Sequence, residues 1–498
     1  MKKAISFVLI ILMLCACLVA CNTNTPEVSD TDVSKADQNY GADLPVKDLG
    51  GRVIRILCRD WNANGSGSIL GFGGEVIQRE EYSEDTASAV DVAKAEVRRV
   101  IEERYHCSLV GDIKAASQTE LNQIIVDQLT AGMTGESAYD LLFENITYTA
   151  GSWLNGIYVD LDSVETIDLS NPWWDQQAVK ELSVAGKVFV ALGDINTQDN
   201  DGTWMIFFNK RLASEMVTDK NFYEMVDNNE WTMDNFISIC KDVTFDSSGD
   251  GVLDEFDTWA LGTETYNIYV HALAAGQKVV SKDADDLPYF TFQTEGMYDV
   301  LSVISDFYRD NKTVMIADDG RFANKGYPNV FEATVVKAFT DGRELFYMGG
   351  LMNLTAFRSM EDDFGMLPIP KMDAEQDRYY HSVSYHQTSS LAIPITAENV
   401  EDLGLVIEAL GALSKTKVTP EYYDRTLKLQ ATRDDESGRM LDIIFDSRVF
   451  DLGCIYNWGG VCGQIYNTDP NYASRFESVA DQAQTEMLET AAVMWMEG

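Results

Sequence analysis

Twelve consecutive residues carry the most concentrated chemistry in this chain: Asp246-Ser247-Ser248-Gly249-Asp250-Gly251-Val252-Leu253-Asp254-Glu255-Phe256-Asp257. A cation of calcium's size takes six to eight oxygens. A loop brings them to one point when ligands stand at positions one, three, five, seven, nine and twelve, with a turn glycine at six. The expected ligands are the side chains of Asp246, Ser248, Asp250, Asp254 and Asp257 and the carbonyl of Val252, holding a structural Ca²⁺. Two positions depart from the template: Ser248 is neutral, and Asp257 is shorter than the bidentate Glu. Residues 232–243 before the loop read as a helix and 259–262 after it as a strand, so it is not half of a paired EF-hand. The rival reading is a solvated acidic glycine turn.

Aromatic rings beside amides and carboxylates form a second pattern. Sugars offer apolar C–H faces to Trp and Tyr, while amides, carboxylates and Arg bind the hydroxyls. Trp61, flanked by Asp60 and Asn62, directly follows a strand read at 53–58 (VIRILC), and Asn145 follows another read at 139–143 (YDLLF). Enzymatic patterns are poor by contrast. His106, His271, His381 and His386 form no HExxH, and there is no CxxC and no G-x-S-x-G. Gly71-Phe72-Gly73-Gly74 lacks the lysine of a phosphate loop. The 80 carboxylates hold many candidate glycosidase pairs, yet no spacing singles one out.

The elements that must position these groups read as α/β. Strand (53–58), helix (86–105), strand (107–113), helix (120–131) and strand (139–143) predict a parallel, doubly wound sheet. Ligands in such sheets sit beyond the carboxyl ends of the strands, here near residues 59–64 and 144–147. A second set follows, with strands at 187–191, 205–208 and 345–348 and helices opening at Thr232, at 266–275 and at 295–311. Late helices are expected at 400–414, 437–445 and 474–496. Trp173 and Trp174, after Pro172, read as packing residues. The 498 residues bear 38 Lys and Arg against 80 Asp and Glu, a net charge of −42, which repels phosphate backbones and so argues against nucleic acid as a partner.

Lys2 and Lys3 precede an apolar run ending Leu18-Val19-Ala20-Cys21, which resembles the lipobox of bacterial lipoproteins. That resemblance implies that residues 1–20 are a signal peptide and that Cys21 carries a diacylglycerol, anchoring the chain at the outer face of the cell membrane. Leu14-Cys15-Ala16-Cys17 is a poorer second match. Residues 21–49 are polar and poor in large apolar groups, as a solvated tether would be. With Cys21 acylated, Cys58, Cys107, Cys240, Cys454 and Cys462 remain, an odd set. Cys58 and Cys107 are the first pair to examine, because their apolar runs could be neighbouring strands.

Several stretches, in order, resemble the carbohydrate-type extracellular solute-binding proteins of bacterial ABC importers. They are Gly186-Lys187-Val188-Phe189 with Phe207-Phe208-Asn209-Lys210, then Glu230-Trp231-Thr232, and then Ala274-Ala275-Gly276. Further along come residues 342–346, Phe364-Gly365-Met366-Leu367-Pro368-Ile369-Pro370 and Leu391-Ala392-Ile393-Pro394. Gln277 stands where the family has a second glycine. The resemblance implies a two-lobed periplasmic-binding-protein-like α/β fold of type II, with about three chain crossings near residues 192–199, 346–350 and 385–391. Lobe 1 would comprise 50–192 and 346–390, and lobe 2 would comprise 193–345 and 391–498. It implies a monomeric binding protein, not an enzyme, that captures a sugar in the cleft and passes it to membrane permeases. Trp204, Tyr269, Phe357, Arg358 and Trp458 would then join Trp61, Asn62 and Asn145 around the ligand. The rival classes are a surface glycoside hydrolase and a calcium-dependent adhesion module.

Overall fold

The structure is a computed structural model that describes residues 43–59, 88–114, 120–121, 123–127, 138–153, 156–310, 312–357, 360–429 and 435–495. Strands are numbered along the chain. β1 (Arg52–Arg59) buries Ile54, Ile56 and Cys58 at alternate positions and Leu57 between them. Both its faces are therefore covered, the condition that suits parallel strands. β2 (Cys107–Lys114) and β3 (Leu141–Asn145) pair with it in parallel, as predicted. The Ala89–Tyr105 helix that crosses from β1 to β2 starts in a capping box between Ser88 and Asp91. It buries Val90, Ala93, Val97, Ile101 and Tyr105, the three-to-four spacing of one helical face.

A second sheet contains β4 (Trp204–Asn209), β5 (Trp259–Thr263), β8 (Val314–Ile316), β9 (Glu344–Gly350) and β10 (Phe364–Leu367), in the order β10-β4-β9-β5-β8. β6 (Val280–Lys282) and β7 (Pro288–Phe290) make a hairpin, and β11 (His381–Ser382) pairs with β13 (Arg448–Val449). β12 (Ser389–Ala392) returns to the first sheet, antiparallel to β3. The Val400–Leu429 helix packs on the Ala89–Tyr105 helix, tied by Lys417 to Glu96 at 2.7 Å.

Three expectations need correction. The stretch 346–390 does not belong with the first sheet, because β9 and β10 both lie in the second and only β12 goes back. Conversely, 391–429 stays with the first lobe, and the chain regains the second between Leu429 and the Asp435–Asp446 helix, whose Ser437 hydroxyl accepts Met366 N–H at 3.3 Å. Among the described residues the crossings are thus 193–203 and 383–388. Residues 187–191 form isolated bridges at Lys187 and Ala191 rather than a strand. Cys58 and Cys107 cannot pair: the β1–β2 register sets Cys58 beside Ile113 and Cys107 beside Arg52. Six residues of strand separate them, about 20 Å, whereas a disulfide needs Cα atoms within about 7 Å. The disulfide joins Cys454 to Cys462. No described helix is long and apolar enough to cross a membrane.

Candidate functional site

The first and second crossings run side by side between the sheets. Asn196 Nδ2 donates to the Ser389 carbonyl at 3.0 Å, and Ser389 N–H donates to Gln198 Oε1 at 3.0 Å. Ser384 N–H donates to the Gly202 carbonyl at 2.8 Å. The first crossing starts where backbone meets backbone: a Cβ on Gly193 would lie 2.2 Å from the Trp173 carbonyl oxygen, so only glycine fits. Three acids then fix it. Asp194 takes Lys415 Nζ at 2.9 Å and the Thr419 hydroxyl at 2.5 Å, and Asp201 takes the Tyr422 hydroxyl at 2.7 Å, all from the Val400–Leu429 helix. Asp199 shares the Arg448 guanidinium with Asp175, at 3.0 and 2.7 Å. Burial, with Asp175 and Asp194 adding repulsion, pushes Asp199 up to about 7 against the pull of Arg448.

Rings gather at the carboxyl ends of β3, β5 and β9, beside the second crossing. Tyr266 and Tyr269 begin the Asn267–Ala274 helix that follows β5. The Tyr266 ring lies 5.5 Å from Trp204, 5.8 Å from Tyr385, 5.4 Å from Tyr466 and 6.1 Å from His386, edge-on in each case. Tyr269 lies 6.1 Å from Tyr385 and 6.2 Å from Tyr466, whose hydroxyls also meet. The Tyr266 hydroxyl points toward Ser382 and Ser384 without closing a hydrogen bond. From the first lobe, the Thr147 hydroxyl donates to the Tyr385 carbonyl at 2.6 Å. Asn145 donates to the His386 carbonyl and accepts Thr147 N–H at 2.9 Å. Thr147, Glu264, Tyr266, His386, Gln387 and Tyr466 keep some contact with solvent and make the accessible wall.

Of the expected site residues, Asn145, Trp204 and Tyr269 do converge here, each almost wholly buried. Asn145 therefore pins the second crossing, and Trp204, donating to Asn267 Oδ1, backs Tyr266. Trp61, Asn62 and Arg358 lie outside the described residues. Phe357 is not on a cleft wall: β10 follows in the same sheet, and its ring is central to a cluster with Phe207, Phe339, Tyr347 and Phe364. Trp458 is also a core residue. It stacks flat on Tyr456 at 4.5 Å and donates Nε1–H to the Thr490 hydroxyl at 2.8 Å. Tyr385, His386, Tyr466 and Glu264 were missed. Tyr385 and His386 fell in an expected crossing, but nothing local marks Tyr466.

In the 246–257 loop the carboxylates serve the loop's own backbone. Asp246 accepts N–H from Gly249 at 2.6 Å and Gly251 at 2.7 Å, and the Ser248 hydroxyl at 3.1 Å. Asp257, fully buried, accepts N–H from Ser247, Ser248 and Asp254. Asp250 and Asp254 each accept one N–H two residues on. Among the described residues, no three His, Cys, Asp or Glu side chains stand where they could share one ion.

No family model and no curated protein sequence matches the chain. Solved structures do match. A cyclo/maltodextrin-binding protein complexed with maltotetraose is 11% identical over 90% of this chain and 98% of its own, with a TM-score of 0.54. UgpB from Mycobacterium tuberculosis, in complex with glycerophosphocholine, is 14% identical over 88% and 99%, with a TM-score of 0.52. The GacH receptor of Streptomyces glaucescens, solved unliganded and with acarbose, is 12% identical over 89% and 97%, with a TM-score of 0.50. At these identities the likeness is one of fold, that of the two-lobed periplasmic-binding-protein type.

Proposed function

We propose that this chain is the solute-binding component of an ABC importer, monomeric and without catalytic activity, which captures a carbohydrate between its lobes and delivers it to the permease. One observation carries the reading: Tyr266 and Tyr269 of the second lobe, Tyr385 and His386 of a crossing, and Asn145 and Thr147 of the first lobe meet at the carboxyl ends of strands from both sheets. Stacking rings and amides at that place suit a hydroxyl-rich solute, and closure about the crossings would create the shape a permease reads. The structural neighbours solved with maltotetraose and acarbose support the solute class.

Thermal-shift screening over neutral oligosaccharides and their amino derivatives tests this. A solute at 100 times its Kd raises stability by about 2.7 kcal/mol. Tyr466→Ala should weaken binding about tenfold or more. Trp458→Ala should cost about 3–5 kcal/mol of stability with affinity kept in the folded fraction. A panel that shifts nothing, or a bound sugar recovered hydrolysed, removes the reading.

An extracytoplasmic, lipid-anchored location is part of the proposal and rests on the lipobox-like run at Cys21, which lies outside the described residues. Cys21→Ser should release the protein from the membrane fraction or leave it unprocessed. Calcium is likewise proposed for the 246–257 loop, supported by its ligand spacing alone. Asp250→Asn should abolish any chelator-sensitive part of the melting temperature, and a chelator-insensitive wild type removes the ion.

A further inference from the structure

Glu264 is the residue the sugar reading leaves unexplained. It stands one position past the end of β5, and Asp318 stands two past the end of β8. Those strands are parallel neighbours, with Thr263 beside Ile316, so both carboxyls emerge at one edge of the second sheet. Asp318 is occupied, accepting Thr265 N–H at 2.9 Å and the Thr265 hydroxyl. The Glu264 side chain takes no hydrogen bond from any described residue, although it is only partly exposed. A carboxylate in such a place normally has a cation or several N–H donors.

The groups facing it supply neither. Tyr266 on its own segment, Tyr308 at the end of the Glu295–Tyr308 helix, Tyr347 on β9 and Tyr466 all lie close enough to feel its charge. Burial holds each of these phenols neutral. His386, beside Tyr266, is also shifted toward its neutral form by burial. No Lys or Arg is among the charges acting on Glu264 or these four tyrosines. Carboxyls with unopposed charge beside electron-rich ring faces form the surroundings that attract a desolvated ammonium group.

We propose that the cleft selects a solute bearing an amine or quaternary ammonium group, an amino sugar or another hydroxyl-rich amine, whose cation seats against Glu264 beside the Tyr266 and Tyr466 rings. This rests on the cleft being the solute site, as set out above. Neutral sugars then bind less well than their amino counterparts, because they leave the half-buried carboxyl without a cationic partner. Burial and Asp318 push Glu264 up to about 8, so a bound cation should displace its proton.

The test pairs each amine with a neutral partner of similar shape: glucosamine with N-acetylglucosamine, and the chitosan disaccharide with N,N′-diacetylchitobiose. Choline serves as a minimal cation. Calorimetry of the wild type at pH 7 in buffers of different ionisation enthalpy should show amines bound tighter, and choline, whose charge does not titrate, bound with release of about one proton. Glu264→Gln, an isosteric change checked by its melting curve, should lose about ten- to a hundredfold in amine affinity and should release no proton. Proton release from the wild type stands as a readout should that variant fold poorly. Equal or tighter binding of the neutral partners, or amine binding indifferent to Glu264→Gln and without proton release, overturns the inference and leaves the solute-binding reading intact. If no amine binds while neutral sugars do, the inference alone falls; if neither class binds, both fall.

Discussion

Glu344 shows how far a single side chain can stand from the usual rules. It lies at the start of β9, fully buried, with neither carboxyl oxygen hydrogen-bonded, and it fills the space beside Gly262, where an added Cβ would lie 2.2 Å from its Oε2. Burial raises its pKa well above the ordinary carboxylate value, with Arg343 opposing only in part. The folded state thus holds the proton more tightly than the unfolded chain. The stability this gives is present in full below about pH 4.5 and is lost as pH rises through the folded value. Glu344→Gln should flatten that fall, so its stability relative to the wild type should improve between pH 5 and pH 8. Denaturant melts at the two pH values decide it, and a constant difference would count against a buried neutral acid. Phe357 and Trp458 teach the opposite lesson at this scale. Both looked accessible from local sequence, but an aromatic after a strand packs wherever the next strand returns, and β10 returned beside β4.

Element by element, much was legible. β1, β2, β3, β4 and β5, and the helices at Ala89–Tyr105, Asn267–Ala274 and Glu295–Tyr308, follow from short apolar runs or three-to-four spacing. Sheet membership did not follow, since nothing in the β9 sequence says whether its partner is β5 or β3; pairing of parallel strands is non-local. The ion set on the first crossing was equally hidden, because Asp175, Asp199 and Arg448 are brought together from distant segments. One guanidinium there serves two carboxylates, which leaves a surplus negative charge. Arg448→Met should therefore cost about 3–5 kcal/mol by stranding both acids. Asp199→Asn keeps a one-to-one pair with Asp175 and should cost no more than about 1 kcal/mol. Similar losses for the two variants in chemical denaturation would show that the surplus charge is not the governing feature.

Across the whole molecule, neither buried cluster respects the division into two sheets. One contains Leu57 and Leu142 with Ile206 and Phe208, and the other contains Ile56 and Phe143 with Met205 and Phe207. Residues facing opposite ways on β1 and β4 thus feed different clusters, and each cluster draws on both sheets. The lobes should then melt together, giving one calorimetric endotherm rather than two. Two transitions, one abolished by destabilising the first sheet alone, would show that the shared packing is too weak to couple them. The net charge of −42 adds a global term, self-repulsion, so moderate salt should raise the melting temperature.

The edge-on contact of Trp204 with Tyr266 gives the protein a built-in optical reporter. Trp173, Trp174, Trp231, Trp259 and Trp458 sit in core packing, whereas the indole of Trp204 backs a ring on the accessible wall and holds Asn267 through its N–H. Indole emission responds to the polarity and motion of its immediate neighbours. A solute that displaces Tyr266 should change the colour and intensity of this indole's emission while those five core indoles stay silent. Stopped-flow emission could then time capture and release without an attached dye. Trp204→Phe should extinguish that signal while calorimetry still registers binding; a signal of undiminished size in the variant would place the responding indole elsewhere.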